Sequence, residues 1–149
     1  MDANGSMGFE LKCDGASLLV VGLDGSDTSW HALHYAFGLA RRQRGTVLVV
    51  FAFAPILSWN GTSADAWYAG EELGDELSAA VTALSEEHGV AAEFLRCQRD
   101  PVGCLVEVAC ARRAVAIIVG ASKALSHKLV GSKAARTIRR SRCPVIVVP

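Results

Sequence analysis

The chain has 149 residues, of which 51% are apolar and 20% charged, and its 15 basic and 15 acidic side chains leave no formal net charge. This length and composition fit one globular domain with a substantial core. No apolar run approaches the roughly 20 residues of a membrane-spanning helix, and residues 1–15 lack the pattern of a signal peptide. We therefore expect a cytoplasmic protein with no membrane insertion and a flexible tail over residues 1–15.

The five cysteines, at positions 13, 97, 104, 110 and 143, are an odd number and contain no C-x-x-C pair. This spacing predicts neither a disulfide framework nor a zinc site. Reduced, mostly buried thiols are the expectation, in keeping with a reducing compartment.

Strands and helices are predicted to alternate along the chain. Short continuous apolar runs such as SLLVVGL are typical of strands buried on both faces, and the segments between them repeat apolar residues at helical spacing. In chain order we predict a strand at 17–23, a helix at 28–44, a strand at 46–53, a helix at 65–88, a strand at 92–96, a helix from 101, a strand at 115–119, a helix at 132–141 and a strand at 145–148. This alternation predicts an α/β fold in which helices cover both faces of a parallel sheet.

Two of these helices carry more detailed signals. Asp100 followed by Pro101 has the pattern of an N-cap and a proline at the first helical position. In the final helix, the spacing predicts that Ala134, Ala135 and Ile138 face inward.

The last predicted strand is apolar and is expected at an edge of the sheet. An apolar edge with unpaired backbone groups favours pairing with another strand. We expect a two-fold homodimer in which residues 145–148 pair with their copy. The alternative is that residues 1–15 cover this strand.

Charge is segregated despite the net value of zero. Residues 65–87 hold seven acidic and no basic side chains, and residues 121–143 hold seven basic and no acidic ones. A basic segment of this kind meets phosphate, nucleic acid or an acidic partner, or it is a solvated helix face. The solvated face is the favoured interpretation, and we do not expect nucleic acid to bind.

Parallel α/β folds bind ligands beyond the carboxyl ends of their strands, where the strand order reverses. The loop after the first strand holds Asp24, and the loop after the fourth runs from Gly120 as GASKALSHKLVGSK into the final helix. These loops would be neighbours if the first and fourth strands lie side by side, which the sequence leaves open. Asp24 then either contacts a ligand or caps the next helix, and the second loop either cradles phosphate or is an ordinary connection.

Four stretches resemble the universal stress protein family from about residue 17 to residue 149: VVGLDGSDTSWHAL, DPVGCLVEVA, IIVGAS and GSKAARTIRRSRCPVIVVP. The resemblance implies a family domain at 16–149, a three-layer α/β sandwich with a five-stranded parallel sheet, of the adenine nucleotide alpha hydrolase-like class. It also implies a bound adenine nucleotide, ATP first, with Mg²⁺ as a candidate companion ion. A homodimer through the last strand and a role in stress response or signalling through a protein partner are further implications.

The family's nucleotide motif, carried over by position, implies a set of contacts. Asp24 would meet the adenosine, with Leu23 and Ala52 near the base. Two residues at the end of the fourth strand would lie beneath the nucleotide, and the start of the final helix would hold phosphate through backbone N–H groups. The implied contact residues are Leu23, Asp24, Ala52, Val119, Gly120, Lys123, Gly131, Ser132 and Lys133.

The sequence departs from that motif at two points. The motif has a glycine, a second glycine shortly after it, a longer spacer, and then a glycine followed by Ser or Thr. Lys123 stands in the place of the second glycine, and the seven residues that separate it from Gly131 are a shorter spacer than the motif has. Either change would close the pocket or alter its phosphate geometry, unless the lysine compensates by adding a cation near the phosphates. The alternative reading is therefore a dimeric member of the family that has lost ATP binding and serves as an interaction scaffold.

Signatures of catalysis are missing from the sequence. Neither Gly120 nor Gly131 begins a Walker motif, no G-x-G-x-x-G follows the first strand, and no G-x-S-x-G elbow is present. No general base is placed beside a nucleophile. We expect no catalytic or metal-ligating residues, and at most slow hydrolysis of bound ATP.

Overall fold

The computed structural model describes residues 17–53, 64–121 and 132–149. The predicted tail and the candidate contacts Lys123 and Gly131 lie outside these residues. Strands and helices alternate as predicted, and the predicted ends differ from the observed ends by at most one residue. They are β1 Leu18–Gly22, α1 Asp27–Gln43, β2 Thr46–Ala52, α2 Ala64–His88, β3 Ala92–Cys97, α3 Pro101–Ala111, β4 Ala116–Gly120, α4 Ser132–Arg140 and β5 Val145–Val148.

The five strands form one parallel sheet in the order β3-β2-β1-β4-β5. From β1 the chain moves outward through β2 to β3, then returns to the other side of β1 for β4 and β5. The strand order therefore reverses between β1 and β4, which lie side by side with Val20 opposite Ile117. This adjacency was left open by the sequence, and it places the two candidate loops next to each other at the carboxyl edge.

Side chains of successive strand residues point to opposite faces, so the core divides into two clusters. In β1, Leu19 and Val21 belong to the cluster beneath α1 and α2, whereas Val20 belongs to the cluster beneath α3 and α4. All three side chains are fully buried. Burial on both faces explains why these strands are continuous apolar runs rather than alternating ones.

Side-chain caps begin α1 and α3. The hydroxyl of Ser26 accepts a hydrogen bond from the backbone N–H of Ser29, 3.3 Å away, and ends the turn after β1. The carboxylate of Asp100 accepts from the N–H of Gly103 at 2.9 Å, with Pro101 in the first turn. The predicted cap at Asp100 is thus confirmed. Within the part of the chain that the structure describes, no helix is long and apolar enough to cross a membrane.

The inward face of α4 was predicted wrongly at one residue. Ala134 is buried and Ala135 half-buried, but Ile138 is 47% exposed, and Thr137 takes the inward position with 1% exposure. The threonine can be buried because its hydroxyl donates to the carbonyl oxygen of Lys133 at 2.8 Å. Apolar spacing alone could not reveal that satisfied hydroxyl.

The expectation of reduced thiols is wrong for one pair. Cys97 and Cys104 form a disulfide with Cα atoms 6.7 Å apart. The three residues between β3 and α3 turn the chain back, so that α3 begins beside the end of β3. Of the remaining described cysteines, Cys110 is exposed and Cys143 half-buried, so the expectation of mostly buried thiols also fails at Cys110.

Candidate functional site

A crevice with a cavity of about 280 Å³ opens at the carboxyl ends of β1, β2 and β4. Its floor consists of the ends of these strands, and its sides are the first turns of α1, α3 and α4. Six of the nine predicted contact residues line it: Leu23, Asp24, Ala52, Val119, Gly120 and Lys133. Ser132 begins α4 at the same edge. Lys123 and Gly131 belong to the undescribed connection between β4 and α4.

Asp24 sits at the mouth of the crevice and has two distinct oxygen environments. Its Oδ1 accepts a hydrogen bond from the N–H of Ser26 at 2.9 Å, which closes the turn after β1. Its Oδ2 lies 3.6 Å from the Nζ of Lys133, across the mouth. Since Ser26 is the N-cap of α1, Asp24 is not needed as the cap, and its side chain is 49% exposed.

The surroundings of Asp24 keep its carboxylate ionised. Partial burial acts to raise the pKa of this group, but hydrogen bonds from Ser26, a further one from Ser29 and the positive charge of Lys133 outweigh burial. The net effect lowers the pKa of Asp24 below its ordinary value of 3.8. Asp24 therefore presents a hydrogen-bond acceptor, not a donor, at neutral pH.

Gly120 is required by the packing of α1 against β4. A Cβ at this position would lie 2.4 Å from the backbone carbonyl carbon and oxygen of Thr28, closer than atoms approach without displacement. The missing side chain lets the first turn of α1 rest directly on the end of β4. The resemblance alone assigned this glycine to the nucleotide, yet the contact with α1 already accounts for it.

Asp100 joins the two helices on the far side of the crevice. Beyond capping α3, its carboxylate accepts from Arg136 at 3.2 Å and from Arg140 at 3.4 Å, both on α4. The hydrogen bond from Gly103 is the main reason that the pKa of Asp100 lies below its ordinary value, with the two arginines adding to it. Asp100 thus links the start of α3 to the middle and the end of α4.

Sequence reasoning missed the contribution of α3 to the lining. Pro101, Val102 and Leu105 border the cavity, and so does the buried Thr137 of α4. A signal was available for α3, because the Asp100-Pro101 cap follows a strand, and helices that follow parallel strands start at the carboxyl edge of the sheet. No comparable signal marked Thr137.

The lining suits a ligand with an apolar flat part and a polar, charged part. Val50, Ala52, Val102, Leu105 and Val119 supply apolar surface. Asp24 offers acceptor oxygens, and the start of α4 offers backbone N–H donors together with the positive end of the helix. Residues in the described ranges contain no group of three or more side chains able to hold a metal ion.

Comparisons with known proteins identify relatives over almost the whole chain. The model of the universal stress protein family matches residues 18–149. A curated universal stress protein of Methanocaldococcus jannaschii is 30% identical over 137 residues, which is 87% of this chain and 80% of the relative.

Solved structures give the same assignment. A universal stress protein family member from Burkholderia pseudomallei has a TM-score of 0.72 at 26% identity, covering 89% of this chain and 96% of that one. A universal stress protein crystallised in complex with cAMP has a TM-score of 0.69 at 26% identity, covering 89% and 96%.

Proposed function

Since this chain belongs to the universal stress protein family, we propose that it binds an adenine nucleotide in the crevice between β1 and β4. ATP is the first candidate, and the bound nucleotide tunes contact with a protein partner in stress response or signalling. The observation that carries the proposal is the crevice itself, where six residues expected from the family motif meet at the strand reversal. The related protein crystallised with cAMP supports an adenine nucleotide as the ligand class.

The lining suggests how the nucleotide would lie. The adenine would rest on the apolar strand ends near Ala52 and Val119, with Leu105 of α3 at its side. Asp24, an ionised acceptor, would take hydrogen bonds from ribose hydroxyls or from the adenine amino group. Phosphate would meet the N-terminus of α4, where the first backbone N–H groups of the helix and the ammonium group of Lys133 would face it. A Mg²⁺ ion would accompany a triphosphate through its phosphate oxygens.

The proposed role is binding rather than catalysis. Hydroxyl groups line the crevice at Ser26, Thr28 and Ser29. One carboxylate oxygen of Asp24 accepts the hydrogen bond that closes the turn, and the other faces Lys133. Nucleotide hydrolysis needs a positioned water and a base with capacity to take a proton. We propose at most slow hydrolysis, and action in the cytoplasm.

Calorimetry with AMP, cAMP, ADP and ATP tests the proposal on the purified protein. We expect Asp24→Asn to weaken binding about tenfold, the effect of losing roughly 1.4 kcal/mol from a charged hydrogen bond. Asp75→Asn is the matched control, because Asp75 is 77% exposed on α2 and pairs with Arg96 away from the crevice. That variant should bind like the wild type. Equal weakening by both substitutions would reject Asp24 as a contact.

A family dimer without nucleotide remains the second candidate, favoured by one specific observation. The ammonium of Lys133 already faces Asp24 across the mouth of the crevice, and the sequence has Lys123 and a short spacer at the phosphate side. If no nucleotide co-purifies or binds, and the protein still captures a partner, the scaffold function replaces the nucleotide one.

We propose that β5 pairs with its copy in a homodimer. The strand lies at the edge of the sheet, and its four residues are half-buried. The carbonyl oxygens of Pro144 and Val148 accept from Ile117 and Ala121. Because backbone groups alternate in direction along a strand, the N–H of Val147 then points away from β4, toward a possible second strand.

Val147→Pro should convert the dimer to a monomer. Proline removes the outward N–H while leaving the bonds to β4 in place, as edge strands tolerate. Sedimentation velocity measures the change, and Val147→Thr, which keeps the N–H and the branched shape, is the control. A dimer that survives Val147→Pro, or a wild type that sediments as a monomer, contradicts pairing through β5.

A further inference from the structure

A disulfide joins the end of β3 to the start of α3. Cys97 is the last residue of β3, and Cys104 lies in the first half of α3. Their Cα atoms are 6.7 Å apart, a separation that a disulfide spans without moving the backbone. Disulfides in reducing compartments are mostly transient, serving redox sensing or catalysis rather than permanent support. A change in the covalent state of this pair is therefore to be expected where the protein meets thiols.

The chain between the two cysteines organises one side of the crevice. Pro101 and Val102 line the cavity directly. Asp100, in the same short segment, caps α3 and accepts hydrogen bonds from Arg136 and Arg140. Those arginines belong to α4, whose first turn supplies the opposite part of the lining. One short loop, closed by the disulfide, thus contacts both of the helices that border this side of the crevice.

We infer that Cys97 and Cys104 are a redox-modification site whose thiol–disulfide state sets the affinity of the crevice. In the disulfide form the bridge holds the loop in place. In the dithiol form the loop is held only by packing, by the cap at Asp100 and by the ion pairs of that residue. The side chain of Asp100 is 44% exposed in these pairs. Exposed ion pairs contribute little to order. The bridged form is preorganised and binds tighter, since less motion is lost on binding.

Oxidation by a small-molecule disulfide of the glutathione class balances as a thiol exchange. Cys97, the more exposed residue of the pair at 9% against 1% for Cys104, reacts first. Its sulfur attacks one sulfur of the small disulfide, which forms a mixed disulfide and releases one thiol that takes the proton of Cys97. The sulfur of Cys104 then attacks the Sγ of Cys97 and releases the second thiol with the proton of Cys104. Two electrons and two protons leave the protein and appear in two small thiols, and reduction is the reverse.

The experiment uses the full chain with the other cysteines replaced: Cys13→Ser, Cys110→Ser and Cys143→Ser together. This variant is incubated with oxidised glutathione or with dithiothreitol, and each form is checked by intact mass, which differs by two hydrogen atoms. Two readouts follow on both forms. The first is the Kd for AMP and for ATP, and the second is amide hydrogen exchange over α3 and α4. Only the first readout rests on the proposed nucleotide function.

We expect the disulfide form to bind nucleotide roughly three- to tenfold more tightly, with slower exchange at the starts of α3 and α4. Cys97→Ala with Cys104→Ala, added to the same background, should abolish the response to both reagents. If neither form binds nucleotide, the proposed function fails, and the exchange difference alone decides the redox site. Failure of the disulfide to form in oxidised glutathione, or equal affinity and equal exchange in both forms, overturns the inference.

Discussion

The two faces of the sheet are built on different scales. Helices α1 and α2 have 17 and 25 residues, whereas α3 and α4 have 11 and 9. The cluster under the long helices contains large side chains such as Phe37, Leu33 and Phe51, while the described buried residues of the cluster under the short ones are aliphatic side chains together with Cys97 and Cys104. The crevice lies where the short helices leave the strand ends uncovered. One face therefore mainly supplies stability, and the other also supplies part of the candidate site.

The largest expected effect is a loss of stability, without a loss of nucleotide affinity, from a substitution under the long helices. Phe37 is fully buried in the cluster under α1 and α2, away from the crevice lining. Phe37→Ala should lower the free energy of unfolding by about 3–5 kcal/mol through lost burial and a new cavity. Urea denaturation measures that loss, and calorimetry should find the nucleotide Kd of the folded variant nearly unchanged. A large change in Kd would contradict the division between the faces.

The matching substitution on the short-helix face should affect both properties. Leu105 is a residue of α3 that is 6% exposed, belongs to the core cluster under the short helices and also lines the crevice. Leu105→Ala should cost about 2 kcal/mol of stability, the lower end for buried leucine, because water can enter the open cavity. The same denaturation and calorimetry should also show weaker nucleotide binding. Unchanged affinity would remove α3 from the proposed site.

Gly120, at the end of β4, lies directly against the first turn of α1, and its substitution tests this contact. A methyl group there meets the backbone of Thr28, so α1 must move away from the end of β4. Gly120→Ala should destabilise the protein by about 1–3 kcal/mol, the usual range for overpacking. Thermal denaturation provides the measurement, with Gly89→Asn as a control at an exposed, left-handed helix end without neighbours. Full stability of Gly120→Ala would contradict the close contact.

The smallest expected effect is the pH dependence contributed by the carboxylates around the crevice. Asp24 and Asp100 have pKa values below their ordinary value of 3.8. A lowered pKa in the folded state contributes stability above the unfolded value, and that contribution is lost as the pH falls through the folded value. Stability from these groups should therefore be constant at neutral pH and decline in acid below about pH 4.

Urea titrations of the wild type and of Asp100→Asn at a series of pH values test this sign. The stability difference between them should be greatest near neutrality and shrink in acid, because the exposed carboxylate is then protonated in the wild type as well. A difference that grows on acidification would be the wrong sign for a lowered pKa. Both proteins should otherwise give parallel unfolding curves.

Much of the fold could be predicted because a strand that is buried on both faces has a continuous run of apolar residues. The start of α3 could also be predicted, because an N-cap aspartate followed by proline, here Asp100 and Pro101, marks a helix start by local chemistry alone. The adjacency of β1 and β4 could not be derived, because strand order depends on how distant segments pack.

The residues of the candidate site that lie at strand ends could be predicted from the sequence. Those whose position depends on how a helix or a loop packs could not. Gly120 is the last residue of β4 and Asp24 follows β1 after one residue, so the carboxyl-edge rule places both at the same edge of the sheet. The inward turn of Thr137 depends on a hydroxyl satisfied by the backbone of Lys133, and the meeting of Cys97 with Cys104 depends on how one short loop bends. Neither leaves a pattern in apolar spacing.

Nuclear magnetic resonance of the ¹⁵N-labelled protein during titration with ATP tests the central claim most directly. The account predicts that amide shifts concentrate at the turn after β1, the end of β4 and the first turns of α3 and α4, and that α2 stays unperturbed. Saturating ATP without shifts at this edge of the sheet, or with shifts centred elsewhere, would contradict a nucleotide site in the crevice.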